Sequence, residues 1–339
     1  MPSTQTRRHF LATLSSAGAM GLIAAPNSFA EEALPETTRL RLIQVPSICQ
    51  AGQFTAEDLF RREGFTDVHH IKKPGPQWIE TALASGEADI SMHFNVRLIM
   101  RVDAGDPIVI LAGGHLGCFE LFGTDRVQAI RDLKGKTVAV PEQDTARPAF
   151  IATIAAHVGL DPRKDINWVT QPAVESMRQL AEGKIDAFLG FPPQPQQLRA
   201  MKAKSVHVVI NSMVDRPWSQ YFCCMVAGNR EFVKKHPVAT KRALRAILNA
   251  SDRVDREPEK TARFLVDGGF AENYDYTLAA LTEMKMAFTA WREFDPEDTI
   301  RFYSLRLREA GLIKSTPNRI IADGTDWRFF DQLKRELKG

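Results

Sequence analysis

The side chains of this 339-residue chain that are suited to chemistry fall in a few places. Four cysteines, Cys49, Cys118, Cys223 and Cys224, stand with His93 and His115 as thiol and imidazole donors. Such a set suits metal binding or disulfide chemistry, but no close-spaced Cys-x-x-Cys pair supports a metal site. A second group, Glu142-Gln143-Asp144-Thr145 with Arg147, has the make-up of a loop opening a helix. The backbone N–H groups of a helix start favour an anion, and Arg147 would grip one with two hydrogen bonds. Glu142 and Asp144 point the other way, toward a cationic or amine-bearing ligand, so these residues leave the ligand's charge open. No Gly-x-Ser-x-Gly, phosphate loop or His-Glu-x-x-His occurs, and with them go the usual signatures of a serine hydrolase, a P-loop nucleotide enzyme and a zinc protease.

The elements that must position these residues are announced by one phrase used twice. Leu83-Ala84-Ser85-Gly86-Glu87-Ala88-Asp89-Ile90 and Leu180-Ala181-Glu182-Gly183-Lys184-Ile185-Asp186-Ala187 each end a helix on Gly and lead through Asp into an apolar strand. Glycine takes the left-handed position after a helix without steric cost. Two corners of one design predict two α/β lobes built alike. Around them, strands are expected near 39–45, 68–71, 88–92 and 108–112, and again near 137–140, 166–169, 187–189 and 206–210, with helices between. This alternation predicts mainly parallel sheets with right-handed crossovers. The segments 118–122 and 221–227 are expected as strands crossing between the lobes. From Asn229 the pattern is helical, ending in a face of Trp327, Phe330, Leu333 and Leu337.

Composition is ordinary for a globular chain, 44% hydrophobic and 25% charged. With 44 basic against 41 acidic residues, nothing demands nucleic acid or an anionic membrane as partner. The first thirty residues have the form of an export signal: Arg7-Arg8 in a twin-arginine setting, an uncharged run from Phe10 to Ala25, and Ser28-Phe29-Ala30 with small residues where a signal peptidase cuts. The mature chain is therefore expected to begin near Glu31, outside the cytoplasmic membrane, after twin-arginine export.

Taken together, the chain resembles a type II periplasmic binding protein of the nitrate/sulfonate/taurine group of ABC-importer receptors. It also shows kinship with the thiamine-pyrimidine synthase-like proteins. The residues carrying this are Ala82–Ile90, Asp132–Val140, Leu180–Ala187 and Asn229–Pro237. The resemblance implies an α/β fold of two lobes, 39–122 with 222–339 and 123–221, joined by two crossing strands and followed by a helical tail. It implies a small-molecule ligand in the cleft, the transmembrane subunits of a permease as partner, a monomer, and no enzyme activity, cofactor or metal. Ligand-binding residues are expected among Ser47, Cys49, Gln50, His93, Phe94, Asn95, His115, Gln143, Thr145, Arg147, Phe191 and Trp218. In the implied fold the cysteines converge on the cleft. A disulfide from Cys118 to Cys223 or Cys224 and unpaired buried thiols both fit an exported protein. The alternative function is a periplasmic enzyme or metal-dependent protein using the Cys/His cluster. The cysteine-rich, iron-binding run of the pyrimidine synthases is represented only by Phe222-Cys223-Cys224.

Overall fold

In the computed structural model, which describes residues 32–142 and 144–337, both corners form. The export signal expected over 1–30 and the site residue Gln143 lie outside the described residues. Gly86 closes the helix Ile79–Ser85 with φ of 74°, and Gly183 follows the helix Ala173–Ala181 with φ of 72°. The Asp of each corner then ties its strand to the neighbouring parallel strand of the same sheet. Asp89 accepts the backbone N–H of Arg41 at 2.7 Å and donates its own N–H to Arg41 O at 2.9 Å. Asp186 repeats the arrangement on Thr137, at 2.7 and 2.9 Å. A guanidinium completes each corner, Arg41 on Asp89 and Arg126 on Asp186. Both carboxylates are buried, and charge-assisted hydrogen bonds offset their desolvation.

Ten strands are present among the described residues: β1 (Arg39–Gln44), β2 (Asp67–Lys72), β3 (Ile90–Phe94), β4 (Ile108–Leu116), β5 (Glu120–Thr124), β6 (Lys136–Val140), β7 (Ile166–Thr170), β8 (Ala187–Gly190), β9 (Val206–Asn211) and β10 (Phe222–Asn229). They form two five-stranded sheets ordered β2-β1-β3-β10-β4 and β7-β6-β8-β5-β9. Each is a parallel set with one antiparallel strand inserted in the same place, β10 in the first sheet and β5 in the second. β5 belongs wholly to the second sheet, so the chain leaves the first between Leu116 and Glu120, slightly ahead of the expected boundary at residue 122. That passage is tight. Cys118 has φ of 139°, a region costly for any residue with a Cβ, and Ser212 Oγ holds it by accepting from Cys118 N at 3.0 Å and Phe119 N at 2.9 Å.

Helices cover the sheets because their buried faces match the apolar strands. The helix Pro237–Arg256 buries Ala243, Leu244, Ile247, Leu248 and Ser251 against the first lobe. It approaches the short helix Ala51–Phe54 so closely that a Cβ on Gly52 would meet Ser251 Oγ at 2.2 Å. The helix Pro296–Glu309 lies across the helix Ala146–His157 of the second lobe, with the Tyr303 and Phe150 rings edge-to-face at 5.7 Å. In the terminal helix Arg328–Glu336, Phe330 and Leu333 are buried as their spacing predicts, with Trp327 and Leu337 partly buried at its ends. No helix among the described residues is long and apolar enough to cross a membrane.

Candidate functional site

The carboxyl ends of five strands, three from the first sheet and two from the second, surround a cavity of about 380 Å³. β1 leads into Pro46, Ser47 and Cys49; β2 into Pro74, Gly75, Pro76 and Gln77; β3 contributes its last residues, His93 and Phe94, and then Arg97. Facing them, β6 leads into Pro141, Glu142, Thr145, Ala146 and Arg147, and β8 into Phe191, Pro192, Pro193 and Gln194. His93 and Phe94 are held by the ladder to β10, whereas the other lining residues lie beyond their strands, where side chains are presented free of ladder constraints while the sheets stay rigid.

The charged centre of the wall is Glu80, in the first turn of the helix Ile79–Ser85. It is 2% exposed, and its carboxylate accepts from His93 Nε2 and from Arg97, whose Nε lies 2.8 Å away. Burial pushes this carboxyl up, but the charges and hydrogen bonds of His93 and Arg97 outweigh burial and hold it at about 2. Arg97 also bonds Asp144 of the second lobe, and the two carboxylates together raise its pKa against burial. One guanidinium thus spans both lobes at the mouth of the cavity.

On the opposite wall Arg147 donates from Nε to Leu189 O at 3.1 Å and from Nη2 to Gln194 Oε1 at 2.7 Å. Its guanidinium lies 5.3 Å from the Phe191 ring centre. Burial pulls its pKa down to about 10, which leaves it cationic at neutral pH. The helix Ala146–His157 begins here, and no side chain caps its first N–H groups; Thr145 instead donates its hydroxyl to Glu142 O at 3.0 Å. Those N–H groups are therefore open to a ligand acceptor. Behind them Phe94 and Phe191 pack at 4.6 Å and Phe94 meets Phe150 edge-on at 6.0 Å, an apolar floor shared by the lobes.

Seven of the expected site residues line the cavity: Ser47, Cys49, His93, Phe94, Thr145, Arg147 and Phe191. Gln50 and Asn95 turn inward instead, their amides donating to Met92 O and Phe222 O, and so position strands β3 and β10. His115 is fully buried beside the cysteines and does not reach the cavity. Trp218 is 4% exposed, with its ring against His157 at 5.3 Å, away from the lining residues, because the return crossing passes behind the helix Ala146–His157. Of the two arrangements expected for the cysteines, the structure has the unpaired buried thiols, with Cys118 Sγ 3.0 Å from Cys223 Sγ. Glu80 and Arg97 were not anticipated. Each sits in the first turn of a helix that follows a strand, Arg97 directly after β3, and Arg147 holds the same position after β6.

The profile of the family described as NMT1/THI5 like matches residues 51–261, more than half of the chain. The chain belongs to the NMT1/THI5-like family. This NMT1/THI5-like chain is 24% identical over 221 residues to the 4-amino-5-hydroxymethyl-2-methylpyrimidine phosphate synthase THI13 of Saccharomyces cerevisiae, a match covering 61% of this chain and 63% of the yeast protein. The match therefore spans under two thirds of that synthase. Among solved structures, the periplasmic sulfonate-binding protein SsuA of Methylobacillus flagellatus KT superposes with a TM-score of 0.65 at 17% identity, covering 88% of this chain and 94% of that one. The periplasmic nitrate-binding protein NrtA of Synechocystis PCC 6803 gives a TM-score of 0.66 at 14% identity, covering 90% of each. These likenesses establish for the NMT1/THI5-like chain the two-lobed fold of periplasmic binding proteins.

Proposed function

We propose that this protein is the exported solute receptor of an ABC importer, closing two lobes around a small organic molecule and passing it to a permease. The observation that carries the proposal is the cavity itself, with walls from the strand ends of both sheets. A ligand held there touches both lobes only when they are together, so its binding favours the closed form by the difference in affinity between the two forms. The lobes bend at the two crossings, around Gly117–Phe119 and 212–221. The protein works in the periplasm as a monomer, after the twin-arginine signal at Arg7-Arg8 has been removed. The structural neighbours that bind sulfonate and nitrate support the receptor role.

The wall fits a ligand with a flat apolar part over Phe94 and Phe191 and an acceptor directed at the start of the helix Ala146–His157. Glu142 offers the same ligand an acceptor for an N–H or ammonium group.

The likeness to the yeast synthases supports a second reading, a pyrimidine-forming enzyme built on the same fold. Native mass spectrometry of gently purified protein, followed by thermal shift with sulfonates, nitrate, bicarbonate and pyrimidines, separates the two. The receptor reading expects one solute, recovered unchanged, that raises the melting temperature. Formation of a pyrimidine phosphate by the purified protein, with no solute held intact, would replace it with the synthase reading.

A further inference from the structure

Beneath the cavity floor, where both crossings meet the end of β1, thiols and an imidazole from separate segments converge. Cys49 lies in the turn Ile48–Gln50, His115 near the end of β4, Cys118 in the strained passage to β5, and Cys223 and Cys224 at the start of β10. Cys49 Sγ is 3.6 Å from Cys118 Sγ, and Cys118 Sγ is 3.0 Å from Cys223 Sγ. The sulfurs of Cys49 and Cys118 and a ring nitrogen of His115 all lie within 4.8 Å of one another. His115 is 0% exposed; its Nδ1 is 3.0 Å from Leu116 O, and its Nε2 has no hydrogen-bond partner. An orphaned nitrogen in a dry site is costly, and a fixed tautomer with one nitrogen bonded to a backbone carbonyl is the usual setting of a metal-binding histidine.

We propose that Cys49, His115 and Cys118 bind a thiophilic d10 cation, zinc(II) or copper(I), as a three-donor site. Ligands around tetrahedral zinc, with bonds of about 2.3 Å to sulfur and about 2.0 Å to nitrogen, lie about 3.3–3.8 Å apart, and the Cys49–Cys118 spacing already falls in that range. The donor set is sulfur and nitrogen without a carboxylate, which disfavours magnesium and calcium and favours soft cations. Each thiol that ligates gives its proton to solvent, so two thiolates neutralise the charge of zinc(II) in a site that water does not fill. The donors come from the turn after β1, from β4 and from the first crossing, so the ion would pin that crossing to the first lobe. The site is separate from the solute wall formed by Glu80, Arg97 and Arg147, although Cys49 touches both.

The test uses the full mature chain, reduced and stripped of metal, titrated with zinc(II) against a chromophoric chelator, with copper(I) in a parallel arm and cobalt(II) as a spectroscopic probe. One equivalent of zinc or copper, and visible cobalt bands of a tetrahedral thiolate site, are expected. Cys49→Ala and His115→Gln each remove a ligand and should weaken binding by at least the roughly 10–100-fold that losing an outer-shell partner costs. Because both substitutions fall in the core, a second measurement uses the unaltered chain: bound zinc should protect Cys49 and Cys118 from alkylation. Binding that is equally tight in both variants, cobalt spectra without thiolate bands, or zinc that leaves both thiols open to alkylation would overturn the proposal. So would reduced protein that takes up no d10 ion, including one isolated with a Cys118–Cys223 disulfide.

Discussion

Arg97 joins Asp144 from one lobe to the other, so that a single guanidinium links the buried carboxylate of Glu80 in the first lobe to an exposed carboxylate of the second. The two bonds differ in worth although they share a donor. Glu80 and Arg97 are both buried, and removing one partner strands the other's charge, a loss of about 3–5 kcal/mol. Asp144 is 85% exposed, and water replaces it readily, so its loss costs less than about 1 kcal/mol. Urea denaturation should therefore show Arg97→Ala strongly destabilised and Asp144→Ala near the wild type. Similar costs for the two would mean that Glu80 does not depend on Arg97.

Glu80 also sets an acid limit. Its folded pKa, about 2, lies below the ordinary value of 4.5. A depressed carboxyl contributes stability that is complete above its unfolded pKa and lost as pH falls toward the folded one. A shift of this size corresponds to about 3 kcal/mol. Wild-type stability should thus decline between pH 4.5 and about 2, and Glu80→Gln, already weaker at neutral pH, should decline less over that window. Parallel curves for the two proteins would remove Glu80 from the acid transition.

Arg147 and Trp218 should respond in opposite ways to substitution. Arg147 lines the cavity beside the uncapped helix start, and a charged hydrogen bond to a ligand is worth roughly 1.5–3 kcal/mol. Calorimetric titration with the identified solute should show that loss in Arg147→Ala. Trp218 packs on His157 away from the lining, so Trp218→Phe should bind with unchanged affinity. The reverse pattern would move the ligand to the far side of the helix Ala146–His157.

The corner carboxylates offer a matched pair. Asp89→Ala leaves the Arg41 N–H without its acceptor, and Asp186→Ala does the same to Thr137, each costing about 1–3 kcal/mol. Asp89 should be the dearer because its partner Arg41 is 33% exposed, against 49% for Arg126. Thermal unfolding of the two variants checks both the size and the order.

Arg7→Lys combined with Arg8→Lys should leave unprocessed precursor in the cytoplasm, since lysine keeps the charge but loses the guanidinium geometry. Fractionation and blotting measure this. Undiminished mature protein in the periplasm would contradict twin-arginine export.

What the sequence determined by itself was the frame. Apolar runs of strand length, helical spacing and two Leu-Ala-x-Gly corners are local, so ten strands and the places where loops leave them were legible before any contact was known. Seven cavity residues followed because they sit at, or a few residues past, the carboxyl ends of those strands. The tertiary structure decided the rest. Gln50, Asn95 and His115 carry the same polar chemistry as the residues that face the cavity, but which way a side chain points depends on the backbone carbonyl or sulfur that packing brings within about 3 Å. Glu80 finds Arg97 seventeen positions away, and Arg97 finds Asp144 forty-seven positions away in another lobe. Hydrogen-bond and ion-pair energies fall off over a few ångströms, a distance that composition and spacing do not encode once the chain has passed from one sheet to the next.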